Sequence, residues 1–169
     1  MRFEIAHEFD IPLDALELAV LSPELLGRLR PKMGATVERA EQKEHAIEDG
    51  KLSRLWFFQA NIPIPSFAKP HVTKEMCAWD QRSTYDLKSH SSTWTIRPNI
   101  KPDWQKYFHA EGTYQLVALD RGRTRRVVSG DVELHVPVVR QVAERMIVAE
   151  VKKNFEAEAE TLRDMATLT

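Results

Sequence analysis

The stretch "RFEIAHEFDI" after the opening methionine alternates strictly between apolar and polar side chains. Phe3, Ile5, His7, Phe9 and Ile11 fall on one side, and Arg2, Glu4, Ala6, Glu8 and Asp10 on the other. Successive side chains of a strand point to opposite faces, so the pattern predicts a half-buried strand with one histidine on its apolar face. The period then changes. Leu13, Leu16, Val20 and Leu21 make a helical stripe behind Pro12, and Ser22-Pro23-Glu24 repeats the start signals of a capping hydroxyl, a proline and an early acid. Two short helices are expected over 12–20 and 23–29, ended by Pro31 and Gly34.

Six further strands are expected near 35–48, 51–62, 71–83, 85–97, 107–119 and 123–136. "EDGK" at 48–51 and "DRGR" at 120–123 read as hairpin turns, with glycine supplying positive φ. "IPIPSFAKP" at 62–70 carries three prolines that remove ladder donors, so it reads as a loop; "RPNIKPDW" at 97–104 reads as another. After "VELHVP", Pro137 starts a long helix whose apolar stripe is Val138, Val142, Met146, Ala149, Phe155, Ala159 and Leu162. It runs about nine turns if it reaches residue 168. The chain is thus α+β, ordered strand, two short helices, six strands, long helix. A twisted antiparallel meander curls, and its concave face needs an apolar cover, for which the last helix is the one large enough element. The 169 residues favour one domain over 1–169.

Composition narrows the function classes. A formal net charge of −1 provides no global field to draw nucleic acid. No apolar run reaches the ~20 residues of a membrane span. A strand starting at residue 2 leaves no room for a signal peptide, and the one cysteine, Cys77, has no disulfide partner within the chain. A cytoplasmic setting is expected, and peripheral contact with a membrane surface stays compatible with it. Cys77 reads as a small buried hydrophobe before a nucleophile. The six histidines show no metal spacing, and neither a phosphate loop nor a nucleophile elbow is present, so no metal and no cofactor are expected. "RGRTRR" sets four arginines at one hairpin, which reads as a solvated tip before an anion site.

The order of elements resembles the START-like, helix-grip superfamily, also called SRPBCC, Bet v 1-like or polyketide-cyclase-like. "IPLDALELAVLSPELLGRL" after the first strand and "GDVELHVPVVRQVAERMI" at the end carry the resemblance. With "WTIRPN" and "EGTYQLV", the closing segment is similar to an uncharacterised bacterial family within it, and faintly to PRELI-type lipid carriers. The resemblance implies a curved sheet of about seven strands gripping the last helix around a cavity. Members bind lipids, sterols or polyketides, some are cyclases or hydrolases, and some bind proteins, so fold alone does not settle function.

Alternation then selects a lining. His7 and Phe9 come with Phe3 and Ile5 from the first strand; Tyr114 comes with Phe108 and Leu116; Val132 and Leu134 come with Val128, with Gly130 leaving space. The helix offers Val142, Met146, Ala149 and Phe155. "RLWFFQANI" is apolar on both faces; Trp56 and Phe58 are favoured because Ala60 and Ile62 share their side. Met76 and Ala78 compete with Cys77 and Trp79, and Trp94 and Ile96 outweigh their threonine neighbours. Phe67 and Trp104 sit on the two proline-rich loops, either as a gate over the cavity or as loop anchors.

Three functions compete on this lining. The favoured one is binding of a small hydrophobic or amphipathic ligand, lipid-like or polyketide-like. The second is a cyclase, dehydratase or hydrolase with His7 as general base and Tyr114 or Asp80 as partner. The third is protein docking through outward aromatics such as Phe57 and Trp79. Aromatic core packing without a ligand is the plain alternative for any single ring. For His7, a hydrogen-bonded structural role precedes a ligand anchor, and that precedes a base.

Overall fold

The computed structural model describes residues 1–61, 63–135 and 140–167. The opening alternation forms strand β1 (Arg2–Phe9). Pro12 precedes α1 (Leu13–Leu21), and its carbonyl accepts the amide of Leu16 at 3.0 Å. Ser22 Oγ accepts the amide of Glu24 at 3.2 Å ahead of α2 (Leu25–Leu29). Six strands follow: β2 (Val37–Glu48), β3 (Lys51–Ala60), β4 (Ala78–Asp86), β5 (Ser91–Pro98), β6 (Phe108–Ala118) and β7 (Thr124–Leu134). The chain closes with α3 (Arg140–Thr167). Pro137 and Val138, expected to open that helix, lie outside the described residues, as does Val136.

The seven strands make one antiparallel sheet in the order β1-β7-β6-β5-β4-β3-β2, curved about α3. This is a helix-grip fold, as the order of elements implied. Asp49 and Gly50 both take positive φ at the β2–β3 hairpin, the geometry that suits a two-residue turn to strand twist. At the β6–β7 turn the Asp120 carboxylate accepts the Gly122 amide at 2.9 Å and Arg123 Nε at 2.8 Å.

Two boundaries differ from expectation. Residues 85–97 are not one strand: β4 ends at Asp86, whose Oδ1 accepts the Lys88 amide at 2.8 Å, and His90 turns the chain at φ 53°. Residues 71–77 are not strand either; Lys74–Cys77 is a 3₁₀ turn ahead of β4. Met76 is therefore not in the lining, and in β4 the inward set is Trp79, Gln81, Ser83 and Tyr85. Trp79 stacks on Phe58 with ring centroids 5.4 Å apart.

The inner stripe of α3 also differs in its first half. Glu144, Val148, Val151, Phe155, Glu158 and Leu162 are buried, at helical steps of four and three. Val142 is 47% exposed, Ala149 is exposed and Met146 is half-buried, so these three do not line an interior. The glutamates replace apolar residues that a hydrophobic pattern would demand. Glu144 fixes the helix to the end of β7: it accepts the Leu134 amide at 2.9 Å and Arg140 Nε at 3.2 Å. These bonds hold its carboxyl below the usual range.

The space expected beside Gly130 is filled. Gly112 and Gly130 face each other across β6 and β7, and the Trp94 indole lies on both. A Cβ on Gly112 would stand 2.0 Å from the Ser129 carbonyl oxygen and 2.3 Å from Trp94 Cζ2.

Candidate functional site

β3, β4, β5 and β6 turn one continuous set of side chains toward α3. Register pairs Leu52 with Tyr85, Arg54 with Ser83, Trp56 with Gln81 and Phe58 with Trp79. It pairs Ser92 with Tyr85 and with Tyr114. Trp56 and Phe58 thus lie on the inner face of β3, 3% and 1% exposed.

Two adjoining cavities lie between this face and α3. The first is lined by Val20, Leu52, Arg54, Gln81, Ser83, Tyr85, Ser92, Trp94, Tyr114, Phe155 and Glu158. The second is lined by Leu29, Met33, Trp56, Phe58, Trp79, Gln81, Val151, Asn154, Phe155 and Glu158. Gln81, Phe155 and Glu158 belong to both walls. Each leaves about 20 Å³ for the centre of a water-sized sphere, room for about one water molecule.

Of the expected lining, Trp56, Phe58, Trp94, Tyr114 and Phe155 meet at these cavities. Phe9 and Val132 are fully buried in the packed core instead, and Leu134 is half-buried beside Phe108. Phe67 is 57% exposed. Trp104 is half-buried under Lys101, whose Nζ lies 5.5 Å from the ring centre. Neither of the two lines a cavity.

A buried charge cluster sits beside the cavities. Arg126, from the "RGRTRR" hairpin, is fully buried, while Arg121, Arg123 and Arg125 are exposed. The expectation of a solvated tip fails for this one arginine because alternation along β7 turns it inward, opposite His7. Its Nη2 donates to the Phe155 carbonyl at 2.7 Å and to His7 Nδ1 at 3.0 Å. Its Nη1 is 3.5 Å from Glu158 Oε2 and from the Tyr114 hydroxyl. Burial works against its charge, but Tyr114 and Glu158 outweigh that and hold its pKa above the ordinary arginine value.

His7 is therefore hydrogen-bonded on both sides. Arginine only donates, so Nδ1 accepts, and Nε2 donates to Glu156 Oε2 at 2.9 Å. With both nitrogens engaged, and away from either cavity, the ring holds no free base toward the interior. Asp80 is no partner for it: Asp80 pairs with Phe57 on the other face of the sheet.

Arg54 is the second buried cation. Nη1 donates to the Val20 carbonyl at 3.0 Å, and the guanidinium lies 4.1 Å from the centre of the Trp56 ring. Burial lowers its pKa against the attraction of Glu158. Two phenols flank the first cavity. Burial, and then Glu158, pushes the Tyr114 hydroxyl well up; burial and Glu17 do the same for Tyr85. Both stay protonated donors at neutral pH. Tyr85 donates to Glu17 Oε2 at 2.6 Å, and His90 Nδ1 meets the same oxygen at 2.5 Å, which pins α1 over the first cavity.

The remaining chemistry is sparse. Burial raises the Cys77 thiol, which keeps it from acting as a thiolate. Among the described residues no cluster of three or more His, Cys, Asp or Glu could hold a metal, and no helix is long and apolar enough to cross a membrane. The aromatics of the docking reading are covered: Trp79 faces inward, and Phe57 lies under Arg39 and Lys43, 5.5 and 5.0 Å from its centre.

This architecture, a seven-stranded antiparallel sheet closed on a C-terminal helix, places the protein in the SRPBCC, or Bet v 1-like, fold class. Zhui aromatase/cyclase from Streptomyces sp. R1128 superposes with a TM-score of 0.63 at 16% identity, covering 99% of this chain and 93% of that one. Norcoclaurine synthase from Thalictrum flavum gives 0.63 at 15%, with 99% and 87% covered. TTHA0849 from Thermus thermophilus gives 0.62 at 15%, with 99% and 98% covered. The chain belongs to the family described as "Protein of unknown function (DUF2505)", whose model matches residues 4–165. No curated protein matches it.

Proposed function

We propose that the protein binds a small hydrophobic or amphipathic molecule between the sheet and α3. One observation carries this reading. Where α3 crosses β3 to β5, the interior is not closed by apolar packing; two cavities meet at Phe155, Gln81 and Glu158. Their walls combine aromatic rings with the hydroxyls of Ser83, Ser92 and Tyr85 and with Arg54 and Glu158. Ligand sites have this composition, mostly apolar with a few placed polar groups. Protein partners fix most of these groups in place: Glu17 holds Tyr85, the Thr93 carbonyl Ser92, the Val20 carbonyl Arg54 and Arg126 Glu158, so they stand beside the cavities in set positions, as the polar groups of a binding site do.

A drug-sized ligand needs a pocket of about 300 Å³ or more, so this interior opens on uptake. The shared wall is the place: displacing Phe155 joins the two cavities. The norcoclaurine synthase of Thalictrum flavum, of the same fold, has a structure in complex with dopamine and hydroxybenzaldehyde, which supports the reading by analogy. Native mass spectrometry and organic extraction of freshly purified protein test it. The expected result is a small molecule released in near-stoichiometric amount, or uptake of an added aromatic probe. Protein that carries no adduct and takes up no probe contradicts the reading.

A further inference from the structure

We propose that Arg54 is the anion-recognition group of the interior site, and that the ligand is a monoanionic carboxylate on an aromatic body. The inference rests on the reading that the interior takes up a small molecule. Charge within the cluster does not balance. Arg54 and Arg126 are buried cations, and Glu158 is the buried carboxylate between them. Glu158 lies 3.5 Å from Arg126 and serves that arginine, which also has Phe155, His7 and Tyr114 as partners. Among the described residues, Arg54 has no carboxylate within 4 Å and one hydrogen bond, to the Val20 carbonyl.

That bond gives Arg54 a structural task at the end of α1, but it engages one of five N–H donors. A neutral amide could do the same. Arg54 also borders the first cavity, together with Ser83 and Ser92. The half-buried His45, beside it on β2, supplies no counter-charge and lies in neither cavity wall. A buried cation whose one nearby carboxylate is paired with a second arginine costs folding free energy, and a ligand carboxylate in a bidentate contact offsets part of it. Glu158 on the same wall limits the charge: it would repel a dianion such as a phosphate monoester. The rings of Trp94, Phe155 and Trp56 fit a flat apolar body.

The test compares 2-naphthoate with its neutral relative 2-naphthalenemethanol by calorimetric titration at neutral pH. On the unsubstituted protein the naphthoate binds about tenfold tighter or more. Arg54→Gln removes that preference: the two probes then bind with affinities within about twofold of each other. Arg54→Lys keeps a charge without the fork, and the preference shrinks without vanishing. Equal affinity for the two probes overturns anion recognition while leaving the cavity reading intact. A preference that survives Arg54→Gln overturns the assignment to Arg54. If Arg54→Gln does not fold, an undiminished preference in Arg54→Lys overturns it instead. Binding of neither probe removes the cavity reading, and the inference falls with it.

Discussion

At the scale of single residues, the interior depends on one fully buried guanidinium. Removing one partner of a buried ion pair leaves the other uncompensated, which costs about 3–5 kcal/mol. Arg126→Leu should therefore lower stability by about that amount in urea denaturation, and Arg126→Leu with Glu158→Leu should recover part of the loss. A second residue-level prediction concerns pH. Burial, and then repulsion from Arg54, lowers the His45 pKa. An imidazole with a depressed folded pKa stabilises the fold fully above the unfolded value of about 6.5 and loses that contribution as pH falls from there through the lowered folded value. Denaturation curves at pH values from about 8 down to 5 should show stability falling with acid, and His45→Gln should flatten the fall. The sequence made His7 visible, because one polar residue interrupts an apolar alternation. It hid Arg126 and Arg54. Each stands in a stretch that also carries exposed charges and so reads as solvated, although its parity is that of the inward residues: Arg126 alternates with Val128 and Val132, and Arg54 with Trp56 and Phe58.

Among elements, the strands and helices that alternation and period define were legible, and their ends were not. The β4–β5 turn contains no glycine or proline; an aspartate carboxylate and a left-handed histidine make it, which explains why 85–97 read as one strand. The inner stripe of α3 misled for a different reason. Glu144 and Glu158 occupy positions on it, so a hydrophobic stripe drawn through Val142 and Ala149 runs beside the true one. The β6–β7 pair offers a sharp test of packing. A methyl group on Gly112 would meet both the Ser129 carbonyl and the Trp94 indole. Gly112→Ala should cost about 1–3 kcal/mol as overpacking, and the near-ultraviolet circular dichroism of Trp94 should change with it. An unchanged spectrum at unchanged stability would mean that the indole does not rest on the glycine pair.

For the molecule as a whole, the cavities and their shared wall set the behaviour. Phe155 is buried and its ring meets Trp94 and Tyr114 at centroid distances of 6.0 and 6.4 Å. Phe155→Ala should cost about 3–5 kcal/mol and join the two cavities into one. Apolar engineered cavities bind small apolar molecules, so 2-naphthalenemethanol should raise the melting temperature of this variant more than that of the unsubstituted protein. The sheet order has a consequence of another kind, for the time course of folding. Every neighbouring pair of strands is consecutive in the chain except β1 and β7. Strands β2 to β7 can assemble hairpin by hairpin as the polypeptide is synthesised, whereas β1 waits for Thr124–Leu134 to be made before it has a partner. During that interval the apolar side of "FEIAHEF" is uncovered and open to chaperones or to the edge of another chain. The docking of β1 is also what brings His7 against Arg126, while Phe155 and Glu158 reach the same guanidinium from α3, the last element to be made, so the buried cation is enclosed only when both ends of the chain have come together.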